Sequence, residues 1–249
     1  MDFTGKVVFV TGAASGIGKA TALMFGKLGA DLLIADIDAP GLSATREALE
    51  DLGSKAVAHV FDVSNGAACR QAIEVAVNEF GQLDILCNIA GIAKADNFLD
   101  LKDADWDRMV GINLSSVFHL SHAAMPHLIK TGGNIVNMAS SAGLVGQAYN
   151  TMYCATKAGV VMFTKALAIE FSGKGVRVNA VCPGGVKTPL VDGFTFPEGA
   201  DMNLFSKLMP LLDMAEPEEI ANAVCYLADE SSRYITGIAL PVDGGQVAG

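Results

Sequence analysis

Tyr153 and Lys157 are the two residues whose types and spacing could most readily do chemistry in this sequence. Residues four apart in a helix lie on one face, so the phenol and the ammonium group would be neighbours. A cation about 4 Å away, at an effective dielectric constant of about 20, favours the phenolate by roughly 4 kcal/mol and moves a pKa of about 10 toward neutrality. The pair therefore predicts an acid–base catalyst. Taken alone, this spacing is more often a solvated helix face, so the prediction depends on the rest of the chain.

A glycine-rich segment at 11–18 follows an apolar run and opens a helical pattern. Gly12 would permit a tight turn, Gly16 would let the backbone approach a pyrophosphate, and Gly18 would allow close packing of helix on strand. The helix N-terminus would offer unpaired N–H groups to phosphate. The alternative is a plain turn that links two elements. The predicted dinucleotide contacts in this segment are Gly12, Ser15, Gly16, Ile17 and Gly18.

Asp36 ends the second apolar run, about twenty residues after the glycines, where a carboxylate can accept hydrogen bonds from the adenosine ribose hydroxyls. The same carboxylate would repel a 2′-phosphate. Ile37 and Asp38 follow it, and the glycine turn contributes no Arg or Lys to neutralise that phosphate. The segment therefore predicts NAD rather than NADP, with a solvated surface Asp as the alternative reading.

Apolar runs rich in Val and Ile alternate with longer helical patterns along the whole chain. Continuously apolar strands joined by crossovers, without hairpin turns, indicate a parallel sheet covered on both faces. The prediction is an α/β fold, a Rossmann-like doubly wound parallel sheet of about seven strands in a single domain spanning 1–249. The predicted strands are 7–10, 32–35, 56–61, 85–87, 135–138, 176–181 and 238–242.

The composition narrows the class of partner. The chain has 249 residues, 51% of them hydrophobic, and a net charge of -10, which argues against nucleic acid or an anionic membrane as a partner because both require clustered Lys and Arg. Five widely spaced cysteines predict buried free thiols, with no Cys or His spacing suited to a metal. We find no signal-peptide pattern and no apolar run of membrane-spanning length, so a cytoplasmic location is expected.

Further short motifs occur in order along the chain: Asp62-Val63, Asn88-Ile89-Ala90-Gly91, Asn113, Ser140, Tyr153-x-x-x-Lys157 and Pro183-Gly184. Together with the TGxxxGxG pattern of the glycine segment, they resemble the short-chain dehydrogenase/reductase family over essentially the whole chain. Ile89 replaces the second Asn of the family's NNAG motif. The resemblance implies a nicotinamide-dependent oxidoreductase.

The resemblance also implies a catalytic set of Asn113, Ser140, Tyr153 and Lys157. Tyr153 would exchange the hydroxyl proton of the substrate, and Ser140 would hydrogen-bond the substrate oxygen. Ser140 is preferred to its neighbour Ser141 because it lies thirteen residues before Tyr153. Lys157 would also hold the nicotinamide ribose, and Asn113 would kink its helix and position a water as a proton relay. An ordinary buried Asn is the alternative for Asn113.

The same resemblance implies further contacts with the cofactor, NAD. It also implies a homotetramer, which agrees with apolar positions around much of two predicted long helices at 106–129 and 149–172. Three histidines of the first helix, His119, His122 and His127, are predicted to pack or to lie at an interface. The implied cofactor contacts are Asp62, Val63, Asn88, Ala90, Gly91, Tyr153, Lys157, Pro183, Gly184, Val186 and Thr188.

A long irregular segment at 184–215 precedes the last predicted helix and is strongly apolar. In the family this region covers the substrate, so we expect a hydrophobic secondary alcohol or ketone, such as a steroid, alicyclic or ring-derived alcohol. Core packing of these side chains is an equal alternative. The apolar residues are Leu190, Val191, Phe194, Phe196, Met202, Leu204, Phe205, Leu208, Met209, Leu211, Leu212 and Met214.

Two other functions remain open at this point. A reductase of 3-oxoacyl thioesters on acyl carrier protein would need a basic docking patch, and near the expected mouth of the site only Lys130 and Lys174 are available. A non-catalytic regulator that senses NAD could use the same fold. Such a regulator has no chemical need for Ser140, Tyr153 and Lys157 together, which favours the enzyme.

Overall fold

The computed structural model describes residues 1–206 and 209–248, and within them the chain forms one sheet of seven parallel strands. The strand order is β3-β2-β1-β4-β5-β6-β7, so the direction of winding reverses between β1 and β4. This confirms the predicted doubly wound α/β class. The strands are β1 (Val7–Thr11), β2 (Asp31–Asp36), β3 (Ala56–Val60), β4 (Ile85–Asn88), β5 (Asn134–Met138), β6 (Arg177–Pro183) and β7 (Ala239–Val242).

Helices connect these strands and cover both faces of the sheet. Within the described residues the α-helices are α1 (Gly16–Lys27), α2 (Ala39–Asp51), α3 (Gly66–Phe80), α4 (Asp103–Val110), α5 (Ser116–Thr131), α6 (Thr151–Phe171), α7 (Pro189–Asp192), α8 (Met202–Ser206) and α9 (Pro217–Ala228). A π-helical turn, Gly111–Ser115, joins α4 to α5. The predicted helix at 106–129 is therefore two α-helices with a wider turn between them.

The central strands are mostly apolar because both of their faces are buried. In β1, Val8 and Val10 pack into a core shared with α1, α2 and α9, whereas Val7 and Phe9 pack into a core shared with α3, α5 and α6. Successive side chains of a strand point to opposite faces of the sheet, so alternate residues pack against the two helix layers. The cores contain four of the five cysteines as buried free thiols, and Cys154 is half-buried.

Local signals explain where several helices begin. The Asn65 side chain accepts hydrogen bonds from the backbone N–H groups of Ala67 and Ala68, at 3.0 and 3.2 Å, and so caps α3. Glu216 and Glu219 form a capping box around Pro217, the first residue of α9. The start of this last helix is where the sequence predicts it.

One helical segment, Thr151–Lys174, is long and apolar enough to cross a membrane by length and composition alone, contrary to the expectation from the sequence. Its apolar side packs against β5 and β6, with Val160 and Ala168 buried there. Core helices of globular domains share this composition. The segment is therefore a helix packed on the sheet, and it also carries Tyr153 and Lys157.

Candidate active site

A cleft of about 1230 Å³ lies at the carboxyl ends of the parallel strands. It spans the point where the winding direction reverses, which is where ligands bind in open α/β sheets. The Thr11 hydroxyl joins the two sides of this point, because it accepts hydrogen bonds from the backbone N–H groups of Ile89 and Ala90 at 3.0 and 3.2 Å. The glycine turn after β1 and the segment after β4 are thereby held together as one wall.

The glycines of the turn leave space that a side chain would fill. Gly12 has a φ of +72°, and a Cβ on it would lie 3.0 Å from Ala90 Cα. Gly16 has a φ of +51°, and its Cβ would lie 3.0 Å from the Thr188 side chain across the cleft. A Cβ on Gly18 would overlap the Gly12 carbonyl. Bare backbone and the N-terminus of α1 therefore face the cleft, and this surface suits a pyrophosphate.

Asp36 lies at the end of β2 and lines the cleft. Its carboxylate accepts hydrogen bonds from the backbone N–H groups of Ala14, in the glycine turn, and Asp38, both at 3.0 Å. The next residue, Ile37, is exposed and also lines the cleft. Among the described residues that line the cleft, the cations are Arg108 and Lys157, and neither follows β2.

Three predicted catalytic residues meet in the same cleft. Ser140 follows β5, whereas Tyr153 and Lys157 lie one turn apart in α6. Lys157 Nζ is 5.7 Å from the centre of the Tyr153 ring and donates a hydrogen bond to the Met138 carbonyl at 2.8 Å. The Ser140 hydroxyl accepts from the backbone N–H of Ala142 at 3.2 Å, which fixes its position. Acid, orienting hydroxyl and cation therefore share one site.

The electrostatics of this site differ from the sequence prediction. Burial raises the pKa of the Tyr153 phenol above its ordinary value, and the nearby Ser140 hydroxyl offsets this only in part. Burial also lowers the pKa of Lys157 to about 8. The expectation that Lys157 draws the pKa of Tyr153 toward neutrality is therefore wrong for the chain by itself, because desolvation disfavours the charged forms of both groups.

Two predicted site residues, Asn113 and Asn88, stand behind the cleft wall instead of lining it. The Asn113 amide exchanges two hydrogen bonds of 2.8 Å with the backbone of Ile92, from the π-helical turn. Asn113 Oδ1 and Lys157 Nζ both lie against Gly91. Asn88 is buried and donates to Asn137 and Ser121 at 2.8 and 3.2 Å, so the expected contact of its side chain with the cofactor is not present in this geometry.

The remaining predicted cofactor residues line the cleft. They are Gly12, Ser15, Gly16, Ile17, Gly18, Asp36, Asp62, Val63, Ala90, Gly91, Pro183, Gly184, Val186 and Thr188. Asp62 uses its carboxylate to accept from the backbone N–H of Ser64 at 2.8 Å, which shapes the turn after β3.

The irregular segment after β6 covers the other side of the cleft. Six of its predicted apolar residues line the cleft: Leu190, Val191, Phe194, Phe196, Met209 and Met214. Four others, Met202, Leu204, Leu211 and Leu212, are exposed and do not line it. Leu208, Lys207 and the side chain of Phe205 lie outside the described residues. The backbone N–H groups of Leu211 and Leu212 donate to the Gly244 carbonyl, so the chain end supports this segment.

Comparison with known proteins decides the family. A family model described as Enoyl-(Acyl carrier protein) reductase matches residues 12–246. A solved short chain dehydrogenase from Mycobacterium paratuberculosis, bound to NAD, superposes with a TM-score of 0.93 at 30% identity, covering 100% of both chains. The chain belongs to the short-chain dehydrogenase/reductase family. It is an oxidoreductase of that type.

Relatives of this short-chain dehydrogenase/reductase act on different substrates. The present chain is 38% identical over 248 residues to the 3-oxoacyl-(acyl-carrier-protein) reductase FabG of Thermotoga maritima. The match covers 99% of this chain and 100% of that protein. The chain is also 38% identical over 246 residues to the 2,5-dichloro-2,5-cyclohexadiene-1,4-diol dehydrogenase LinX of Sphingobium indicum, covering 98% and 97%. Family membership therefore leaves the substrate class open.

The sequence interpretation missed several residues that line the cleft of this short-chain dehydrogenase/reductase. Gln147 and Asn150 come from the loop before α6, and Arg108 comes from α4. Gln147 donates a hydrogen bond to the Ser141 hydroxyl at 3.3 Å. Their nearness to Tyr153 in the chain was the available signal for the first two, because a residue just before a helix shares the end of that helix. Nothing local marks Arg108.

Lys130 and Lys174 do not lie at the mouth of this cleft, contrary to the prediction. Lys130 lies in the last turn of α5 just before β5, and Lys174 follows α6 just before β6. Both therefore lie at the amino ends of the strands, opposite the carboxyl ends where the cleft opens. Lys174 packs its ammonium group over the Phe171 ring, 4.8 Å from the centre.

Burial of Lys157 should make the stability of the fold rise with pH. Its pKa is about 8 in the fold against an ordinary value of 10.5, so between these values the unfolded chain holds more protons and stability rises with pH. Below pH 8 the fold carries the full cost of a buried ammonium group. We expect the wild type to gain stability relative to Lys157→Met as the pH rises. The difference between their free energies of unfolding, wild type minus variant, should increase by about 2 kcal/mol between about pH 8 and pH 10.

Urea unfolding at a series of pH values measures this difference. Taking the difference cancels the titration of the buried thiols, which changes stability in the opposite direction. Lys165→Met, at an exposed position of the same helix, is the matched control and should give a flat line. A Lys157 difference that stays flat or decreases with pH contradicts the prediction.

Proposed function

We propose that this protein is an NAD-dependent alcohol dehydrogenase or ketoreductase that acts on hydrophobic secondary alcohols and the corresponding ketones. The observation that carries the proposal is one continuous cleft. It joins the glycine turn and Asp36 to Ser140, Tyr153 and Lys157, and then to a wall of apolar side chains from the segment after β6. A dinucleotide site, a proton-transfer group and an apolar pocket are the parts that such a reaction needs.

Each of these polar side chains has a separate role in the proposed reaction. Ser140 donates a hydrogen bond to the substrate oxygen and orients the carbinol carbon. Tyr153 accepts the hydroxyl proton in oxidation and returns it in reduction. Lys157 holds the nicotinamide ribose. Asn113, through its bonds to Ile92, holds the wall beside Gly91, and it would position a water that relays protons from Lys157. Bound NAD+ supplies the hydride acceptor and a positive charge that favours the phenolate. The products of oxidation are the ketone, NADH and a proton.

The raised pKa of Tyr153 suits donation of its proton to the substrate, as reduction requires. A phenol that stays protonated at neutral pH is ready to donate its proton to a carbonyl oxygen, which is the step that reduction requires. Removal of that proton in oxidation needs a positive charge nearby, and Lys157 alone does not lower the pKa of Tyr153 enough. Tyr153 therefore depends on the oxidised cofactor to act as a base.

Asp36 supports NAD as the cofactor. A 2′-phosphate beside its carboxylate would be repelled, and Asp38 adds a second negative charge two residues later. The solved short chain dehydrogenase described above was bound to NAD, which agrees with this choice.

The substrate class follows from the apolar wall. Phe194 and Phe196 pack edge to face, with ring centres 5.5 Å apart, and both line the cleft with Leu190, Met209 and Met214. Such a surface favours an apolar ring over a small polar alcohol. The relative LinX, a dehydrogenase of a cyclohexadiene diol, supports an alicyclic substrate.

A 3-oxoacyl thioester on acyl carrier protein is the second candidate, and the similarity to FabG favours it. Docking of an acidic carrier protein needs a basic surface at the mouth of the cleft. Two cations near the cleft are engaged in ion pairs, Lys94 with Asp105 and Lys187 with Glu216. The exposed Arg108 lines the cleft, but the lining also holds three carboxylates, Asp36, Asp62 and Asp107. We therefore rank the small hydrophobic alcohol above the thioester.

Absorbance of reduced nicotinamide tests the proposal. NAD+ and NADP+ are each combined with cyclohexanol, steroid alcohols, ring diols, ethanol and 3-hydroxyacyl thioesters. The proposal expects NAD-dependent oxidation of hydrophobic ring alcohols, with kcat/KM well above that for ethanol. Activity confined to thioesters overturns it in favour of the second candidate. Tight NAD binding without any turnover would favour the NAD-sensing regulator.

We also propose that the chain forms a homotetramer. Apolar side chains are exposed on α6, which carries Tyr153 and Lys157, and on α4 and α5, which flank the turn that carries Asn113. They are Trp106, Phe118, Met162 and Ile169. Burial of such side chains between copies would remove them from water. Sedimentation equilibrium measures the mass, and a monomer at micromolar concentration contradicts this assembly.

A further inference from the structure

The Asn150 side chain has unused hydrogen-bonding capacity in the wall of the cleft. Asn150 precedes Tyr153 by three residues, lines the cleft and is 5% exposed. Its Oδ1 has no hydrogen-bond partner among the described residues. A buried polar atom without a partner costs about 1–3 kcal/mol, so its presence calls for an explanation. A ligand that supplies the missing partner is one such explanation.

Helix capping does not account for this amide. Asn150 is the N-cap residue of α6, where an Asn side chain ordinarily accepts from the second or third N–H of the helix. Asn65 does this for α3, whereas the Asn150 side chain makes no capping bond. The backbone carbonyl of Asn150 accepts from Cys154 N at 2.7 Å, so the helix begins without help from the amide.

The backbone before Asn150 is held in an unusual conformation. Tyr149 has a φ of +64°, a region that a bulky side chain rarely adopts. Its carbonyl accepts from Asp96 N at 2.9 Å, and its hydroxyl accepts from Asp201 N at 2.8 Å. Such strain, of order 1–3 kcal/mol, persists where surrounding structure enforces it and is common at ligand sites. The loop is thus fixed from two sides directly before Asn150.

We propose that Asn150 recognises a second, neutral oxygen function of the substrate, so that the preferred substrates are ring diols or hydroxyketones and not simple alcohols. The inference rests on the proposed function and deepens it. An amide both donates and accepts, so it can bind a hydroxyl or a carbonyl, and it carries no charge that would select a carboxylate. Asn150 and Tyr153 both line the cleft at neighbouring positions of the chain, so one ring can present a separate oxygen to each.

Equilibrium binding in the Tyr153→Phe background tests the inference without turnover. The dissociation constants of cyclohexanol and of the 1,2-, 1,3- and 1,4-cyclohexanediol isomers are measured by calorimetry with NAD+ present. The best diol should bind at least about 10-fold more tightly than cyclohexanol, because one satisfied buried hydrogen bond contributes about that factor. Adding Asn150→Ala should remove this advantage while changing cyclohexanol binding by less than about threefold.

Asn150→Ser separates recognition from folding. Ser is a good N-cap residue, so this variant should keep the thermal midpoint of the wild type and still lose the diol advantage. The inference is overturned if cyclohexanol binds but no diol binds better, if Asn150→Ala weakens both ligands equally, or if Gln147→Ala removes the advantage instead. These outcomes differ from failure of the proposed function, in which the intact enzyme oxidises no ring alcohol and Tyr153→Phe binds none.

Discussion

Replacement of Tyr153 by Phe is expected to lower kcat by about 10³-fold or more while leaving NAD+ affinity nearly unchanged. The variant removes one oxygen atom, and this atom is the one that exchanges the proton with the substrate. General acid–base catalysis contributes about 10²- to 10⁴-fold, so its complete loss falls in this range. The ring remains and fills the same volume beside Lys157, so neither the fold nor the cofactor site should change.

Steady-state kinetics with a ring alcohol and fluorescence titration with NADH measure the two quantities separately. Tyr234→Phe is the matched control, because Tyr234 is 98% exposed and does not line the cleft. It should retain wild-type kcat. Turnover within tenfold of the wild type in Tyr153→Phe would remove Tyr153 from its assigned role and shift attention to Ser140 and bound water.

The fold could be predicted from the sequence because its strands carry an unambiguous local pattern. Each of the seven apolar runs is a strand in the structure, and boundaries move by one or two residues only. For example, the predicted run 32–35 is Asp31–Asp36, because the polar ends of a buried strand lie outside the apolar pattern. Asn113 lies in a π-helical turn, in agreement with the expected local distortion of its helix.

The electrostatics of the cleft and the position of the Asn88 side chain could not be predicted in the same way. The pKa of Tyr153 depends on how far burial desolvates both the phenol and Lys157, and residue spacing carries no information on burial. Asn88 matched a motif, yet its amide turns to Asn137 in the neighbouring strand. Partners 49 residues apart become neighbours only through strand pairing.

The missing capping bond of the Asn150 amide could not be predicted from the sequence for a related reason. Asn at a helix N-terminus predicts a cap, and the structure has the residue at that position without the capping bond. Asn150 has a ψ of 30° instead of the extended backbone of the Asn65 cap. It follows the left-handed Tyr149, which is held by contacts with Asp96 and Asp201 in two separate loops. Local rules thus fail where distant segments impose a conformation, and such failures concentrate at functional sites.

Cofactor choice is the second large effect that we expect, through the pair Asp36→Ala and Ile37→Arg. The wild type should bind NADH more tightly than NADPH, because Asp36 can accept from ribose hydroxyls and repels a 2′-phosphate. Ile37 is 69% exposed and lines the cleft beside Asp36, so an Arg there can reach the phosphate without disturbing the core. Arg suits this role because its planar guanidinium binds phosphate oxygens in pairs.

The double variant should change the ratio of the NADPH and NADH dissociation constants by about 10²- to 10⁴-fold in favour of NADPH. Loss of a charged hydrogen bond contributes about 1.5–3 kcal/mol, and a new pair with phosphate contributes a similar amount to the other cofactor. Fluorescence titration gives both constants. Asp38→Asn removes the same charge two residues away and keeps an N-cap residue for α2, so it separates a local effect of Asp36 from net charge. An equal change of the ratio in Asp38→Asn would mean that general repulsion, and not the ribose contact of Asp36, selects the cofactor.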